Sequence, residues 1–252
     1  FLTVIYDEPI TVDNLPLVET GDFTFASIAR GISPSEYVVV DMSSRVYSAT
    51  GQRKGVEKSI QNVTNMTTAS GQLAVIQKVV TVTGQLYALG DCRKIFRRIG
   101  MNQWIELAEE GKGVPMPADA AQGKEYTFLD IGFCDMSGFS QDDMYAVGGS
   151  GDVWHFNGTK WVQSHFPTNE LLKTVCCAGD GYVYITENHG SVWRGREDRW
   201  QKIAKADIAS GYAPVDSVWF NNRLYMGAQE GIWVLDEKNN LVMLNEIEEG
   251  AP

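Results

Sequence analysis

The groups in this 252-residue chain that could bind a metal, shuttle a proton or attack a substrate are few and scattered: three histidines, four cysteines and 32 acidic residues. His155 follows Trp154 in an apolar run and reads as a partly buried strand residue, and His165 stands alone. His189 lies in a glycine-containing turn beside Glu187. A metal centre needs three or four donors converging, and no spaced set of His, Cys or carboxylates supplies them. The acidic pairs Asp142-Asp143, Glu109-Glu110 and Glu248-Glu249 are adjacent in sequence, so in a strand they point to opposite faces and form no acid/base couple. Cys92, Cys134, Cys176 and Cys177 contain no C-x-x-C pair and read as small buried strand residues of a protein kept in a reducing cytoplasm. No G-x-S-x-G elbow, H-E-x-x-H, P-loop, EF-hand loop or strand-linked G-x-G-x-x-G is present. The residues therefore assign no catalytic role, metal or cofactor, and they favour a non-enzymatic, binding role.

Charge narrows the partner. The formal net charge is −11 and the pI about 4.7. Nucleic-acid binding needs clustered Lys and Arg, so this balance argues against it and favours a basic protein partner. With 44% hydrophobic and 21% charged residues the chain is expected to fold rather than stay disordered. No apolar run approaches the roughly 18 residues of a membrane helix, so no membrane partner is expected. The opening FLTVIY lacks a basic flank and does not read as a signal peptide, and Phe1 in place of Met implies a truncated or processed start. Three N-x-[ST] sequons, at Asn62, Asn65 and Asn157, are discounted, the third because it falls in a tight turn.

The elements that must carry these residues are legible in residues 142–164, DDMYAVGGSGDVWHFNGTKWVQS. Met144 to Val147 is an apolar run, residues 148–152 are turn chemistry, Val153 to Phe156 is a second run, and Asn157-Gly158 is a strong hairpin signal before Trp161. The pattern recurs. Second-strand tyrosines stand at 37, 87, 145, 184 and 225, and the third-strand aromatic follows each by 10, 9, 9, 9 and 8 residues. The fourth strand opens 9, 8, 7, 7 and 8 residues later, with a mean period of 47. Such narrow spreads mark one four-stranded antiparallel unit repeated five times.

Runs such as Met144-Tyr145-Ala146-Val147 and Leu224-Tyr225-Met226 are apolar on both faces, so each sheet must be covered on both sides. Radial stacking around an axis achieves this. The expected fold is all-β: a β-propeller of five four-stranded antiparallel blades, at about 20–61, 72–108, 125–165, 170–204 and 213–245, with residues 1–9 as an N-terminal closing strand pairing with the fifth blade. The fourth strand of the first unit is placed at 56–60, and the third unit is expected to open with a strand running from Tyr126 through Cys134. Phe96, Trp154, Trp193 and Trp233 then fill the spaces between blades.

The sequence MYAVGGSGDVWHFNGTKWVQ resembles the repeat of bacterial β-propellers of the kelch and Asp-box kind, over residues 20 to 245. The full sialidase-type Asp-box is not met, because Asn157 stands where Asp is usual and the preceding Ser is absent. Small acidic propellers of this kind also resemble immunity proteins that bacteria keep against secreted toxins. That resemblance implies an inhibitor covering the basic active-site face of a toxin such as a nuclease. The alternative it leaves is a carbohydrate-binding or carbohydrate-active propeller with a site at the mouth of the axis. In propellers the turns between second and third strands share one face with the loops joining successive blades. Here those turns carry Asp41, Asp91, Asp152, Glu187 and Glu230, one carboxylate per blade, with His189 beside them. These six are the candidate partner-binding residues. The joining loop at 109–124, with Gly111, Gly113, Pro115 and Pro117, is the longest and is expected to form a shaped protrusion on that face.

Overall fold

The protein is described from a computed structural model, which covers residues 2–3, 17–18, 25–32, 35–60, 75–206 and 214–244. Alternating strand and turn chemistry dictates a series of hairpins. Leu2–Thr3 (β1) pairs with Leu17–Val18 (β2). The first four-stranded sheet holds β3 (Phe25–Ile32), β4 (Ser35–Asp41), β5 (Val46–Ala49) and β6 (Lys54–Val56). The second holds β7 (Ile76–Val82), β8 (Gln85–Gly90), β9 (Ile95–Gly100) and β10 (Gln103–Glu106). The third holds β11 (Phe133–Ser140), β12 (Asp143–Gly148), β13 (Asp152–Phe156) and β14 (Trp161–Gln163). The fourth holds β15 (Leu172–Cys177), β16 (Val183–Glu187), β17 (Ser191–Arg196) and β18 (Arg199–Lys205). The fifth holds β19 (Pro214–Phe220), β20 (Arg223–Ala228), β21 (Gly231–Leu235) and β22 (Leu241–Met243). Each sheet is an antiparallel meander, and together they form the ring of a five-bladed β-propeller.

Hairpin geometry follows from residue type. Thr83-Gly84 and Asn221-Asn222 both take positive φ and close two-residue turns, with Val82 opposite Gln85 and Phe220 opposite Arg223. Such turns match the right-handed twist of the strands they join. Two short helical turns lie before the third sheet: a 3-10 turn at Ala118–Gln122 and a single α-turn, α1 (Phe128–Ile131). Residues 128–131 were expected to be strand. They are helical because Thr127 and Asp130 cap the turn reciprocally, Thr127 donating its backbone N–H and hydroxyl to the Asp130 carboxylate at 2.8 and 2.7 Å. No helix among the described residues is long and apolar enough to cross a membrane.

Two further expectations are corrected. The fourth strand of the first sheet is Lys54–Val56, not 56–60. The Glu57 N–H still bonds the Val46 carbonyl at 2.9 Å, but its side chain enters a buried ion pair with Arg98, and Ile60 tucks into the apolar core between the first two sheets. At the N-terminus, Leu2 and Thr3 pair with Val18 and Leu17 in a separate two-stranded ladder, not with the fifth sheet. A partner 16 residues away closes a shorter loop than one at the far end of the chain, and loop entropy favours it. The rest of the expected closing strand, residues 4–9, lies outside the described residues.

The core is divided among the junctions between sheets. One buried cluster joins sheets one and two through Val38, Val40, Ile76, Val79 and Phe96. Another joins two and three through Leu89, Phe133, Met144, Trp154 and Phe156. Tyr145, Val153, Leu172, Ile185 and Trp193 join three and four, and Tyr184, Leu224, Met226 and Trp233 join four and five. The aromatic series Phe96, Trp154, Trp193 and Trp233 therefore does fill the interblade spaces, each at most 9% exposed. Among the described residues the fifth-to-first junction has no such cluster: Ile28 and Ile32 on β3 and Val218 and Phe220 on β19 are all exposed. Packing is close at Gly148, where an added Cβ would fall 2.0 Å from the Gly132 carbonyl oxygen.

Candidate functional site

Backbone bonds tie the second-to-third-strand turns to the joining loops, so both sit on one face. The Arg93 N–H donates to Ile131, Gly151 to Glu170, and Asn188 to Leu171. This is the face that carries the candidate residues, and its carboxylates are mostly turned inward. Asp41 is buried and accepts from the backbone of Ser43 and Arg45 at 2.9 and 2.8 Å and from Arg45 Nε at 2.5 Å. Asp91 is half-buried and accepts from Val75, and burial raises its carboxyl pKa against that bond. Glu187 is buried, accepting from the Trp193 indole with Lys202 3.9 Å away. His189 is exposed and pairs through Nδ1 with Glu170 at 2.6 Å. Glu230 is exposed.

Asp152 is the anchor of the face. Its carboxylate takes both Nε and Nη2 of Arg93 at 2.7 and 2.8 Å, with the Trp154 indole N–H at 2.9 Å. The Arg93 guanidinium lies 4.7 Å over the Trp154 ring and donates its remaining arm to the Pro115 carbonyl at 2.5 Å. Arg93 and Asp152 are both buried, so this bidentate pair clamps the long 107–127 connection onto the junction of sheets two and three. Tyr126 and Lys124 bond Asp119 and stiffen the far end of that connection. The expected protrusion thus has a defined seat.

Sequence reasoning missed three ionic groups. At the axis, Lys78 of β7 reaches Asp135 of β11 and Asp216 of β19 at 2.9 Å each, and Asp135 also accepts from Val175 of β15 at 3.0 Å. Four sheets meet there. Burial pushes the Asp135 carboxyl up, opposed by Lys78; for Lys78, burial acts downward and the two carboxylates outweigh it, leaving the ammonium raised. Between sheets one and two, Arg98 grips Glu36 at 2.6 and 2.7 Å and Glu57 at 3.1 and 2.8 Å, all three buried. Between sheets three and four, Asp143 bonds Arg196 and, at 2.8 Å, His155, whose ring stacks on Tyr145 at 4.3 Å. The available signal was a charge inside an apolar strand, such as Lys78 in IQKVVTV or Arg98 in IFRRIG.

The chemistry these groups can do is limited. Burial pushes the thiols up, Cys134 to about 11 and Cys176 to about 12, so they are poor nucleophiles at neutral pH. Among the described residues no three His, Cys, Asp or Glu side chains converge as metal ligands. Asp142 and Asp143 diverge, the first exposed and the second paired with Arg196, while Glu109 and Glu110 lie in the loop, Glu110 bonded to Arg97. Glu248-Glu249 lies outside the described residues.

No family model matches the chain. A protein named immune protein Tsi7, from Pseudomonas aeruginosa, is 31% identical over 167 residues, covering 66% of this chain and 51% of that protein. Among solved structures, virginiamycin B lyase from Staphylococcus aureus superposes with a TM-score of 0.62 at 12% identity, over 86% of this chain and 68% of the other. YCF48 from Cyanidioschyzon merolae gives 0.56 at 11% identity, over 87% and 71%. At such identities the two structures share the fold alone, and the chain spans about half the length of the curated relative it matches.

Proposed function

We propose that this propeller is an immunity protein that binds a toxin and silences it by covering its working surface, without chemistry of its own. The observation that carries the reading is the 31% identity to a protein named as an immune protein, over a stretch that spans two thirds of the present chain. The side-chain groups described above support it, since they are consumed in holding blades and turns together. The partner's contacting face is basic, as on the active site of a nuclease, and it meets the turn-and-loop face. There Glu230 and the His189–Glu170 pair make direct contact, while Asp41, Asp91, Asp152 and Glu187 hold the turns in shape. Four free thiols fit a reducing compartment, and the cytoplasm is the proposed location.

The test is affinity capture from the source cell, followed by assay of the captured toxin with and without equimolar protein. The expected result is a basic toxin whose activity is lost on complex formation. Reversing exposed charge with Glu230→Lys and Glu170→Lys should slow association several-fold at low salt and flatten its salt dependence, leaving melting unchanged. A toxin that stays active in the complex refutes the inhibitory reading, and an acidic partner, or association indifferent to both changes, refutes the charged face.

A further inference from the structure

On the opposite face, the junction of sheets four and five opens into a cleft of about 450 Å³, within the roughly 300–1,000 Å³ typical of small-molecule sites. Its back wall is rigid. Tyr184 and Trp219 stack at 5.6 Å and 23°, the Tyr184 hydroxyl is fixed to Asp180 at 2.7 Å, and the indole is seated where Gly179 has no Cβ. Arg194 from β17 and Arg223 from β20 bound the cleft. Arg45, Arg93, Arg97, Arg98 and Arg196 are each spent on a carboxylate. Arg194 and Arg223, like Arg30, Arg53 and Arg199, belong to no ion pair among the described residues; Arg194 is held 5.1 Å over the Tyr182 ring and bonds the Tyr184 hydroxyl, which orients its guanidinium at the wall of the cleft.

The carboxylate nearest to hand is already committed. Asp236 accepts from the backbone of Lys238 and Asn240 at 2.8 and 2.7 Å and from the Asn240 amide at 3.0 Å, and those bonds to Asn240 hold it below the usual carboxylate range. With Glu237 at the exposed lip, the cleft is near neutral overall, so an anion would be selected by the geometry of the guanidinium forks and not by a field. Asn221, Asn222 and Asn239 complete the rim, all with positive φ in tight turns. Carboxamides supply both donors and acceptors, which is what hydroxyl groups require.

We propose that this cleft binds a small hydroxylated oxyanion, of the sugar-acid or sugar-phosphate kind, its charged group on Arg194 and Arg223 and its hydroxyls on the asparagine rim. The site is separate from the toxin-facing surface and does not depend on that reading. Isothermal titration of the full chain with glucuronate, glucose 6-phosphate and uncharged glucose tests it. At least one charged probe should bind with a Kd of about 1 mM or tighter, and glucose should not bind. Which charged probe binds identifies carboxylate or phosphate as the source. Arg223→Gln, at an exposed position, should weaken that probe by about tenfold with an unchanged melting curve. Glu230→Lys, on the other face, should leave it unaltered. Failure of both charged probes, equal binding of glucose, or full affinity in Arg223→Gln overturns the proposal.

Discussion

Replacing Arg98 by Met keeps most of the side-chain volume and removes the cation that holds Glu36 and Glu57 between the first two sheets. Four charge-assisted contacts vanish, at 2.6, 2.7, 2.8 and 3.1 Å, along with the placement of the guanidinium 5.4 Å over Trp104. What remains is two buried carboxylates without a counter-charge, and breaking a buried pair from one side costs about 3–5 kcal/mol. For a chain of this length each kcal/mol moves the melting temperature by about 2–4 °C, so the expected drop is about 6–20 °C at pH 7.5. The pH dependence has a definite sign. In the native protein burial acts to raise the Glu57 carboxyl, but hydrogen bonds from Arg98, Ser48 and Asn102 outweigh it and leave the pKa lowered. That stability is present above the unfolded value, about pH 4.3, and is lost as pH falls through the lower folded value. In Arg98→Met burial acts without its main opponent, the folded pKa rises above the unfolded one, and the penalty is relieved by protonation. The deficit should therefore be largest near neutrality and shrink towards pH 4. Calorimetric melts of both proteins at several pH values measure it, and Glu36→Gln with Glu57→Gln should recover part of the loss at pH 7.5. A drop below about 2 °C, or a deficit that widens on acidification, would refute the reasoning.

Two other substitutions test the packing. Trp154→Ala removes an indole 5% exposed, its bond to Asp152 and the surface under Arg93, so urea denaturation should show a loss of about 3–5 kcal/mol; an unmoved midpoint would mean that the indole is not a core residue. Gly148→Ala places a methyl 2.0 Å from the Gly132 carbonyl and 2.8 Å from the Cys134 nitrogen, an overpacking expected to cost about 1–3 kcal/mol or more, and native-like stability there would contradict the close approach of β11 and β12.

The repeat was legible because it rests on local signals: a tyrosine run, a glycine or carboxylate turn, an aromatic, a two-residue hairpin. Each fixes structure within a few residues, and the mean period of 47 multiplies the signal five times. The helical turn at Phe128–Ile131 escaped because one Thr–Asp capping pair outweighs the apolar pattern of so short a segment. The ionic groups at Lys78, Arg98 and Arg196 escaped for a different reason. Their partners lie 57 and 138, 41 and 62, and 53 residues away, and only the ring brings them together. The same applies to the cleft of Arg194 and Arg223, which come together from β17 and β20 only in the folded ring.

That distinction changes what the acidic excess can be asked to do. The turn carboxylates stand one to a blade, a spacing that reads from sequence as a charged ring presented to a partner. In space Asp41, Asp152 and Glu187 are buried, and each is matched by an arginine, an indole N–H or backbone donors. A carboxylate bonded to Arg93 contributes almost nothing to the field a few ångströms outside the protein, because the pair is neutral at that distance. Lysine at position 152 would set a second cation against Arg93, release Pro115 and unseat the 107–127 connection. Any loss of binding would then report a damaged face and not a lost attraction. The charge a partner can feel there sits on exposed Glu230 and half-exposed Glu170, whose reversal leaves the turns intact. An electrostatic test of binding is informative only at those positions.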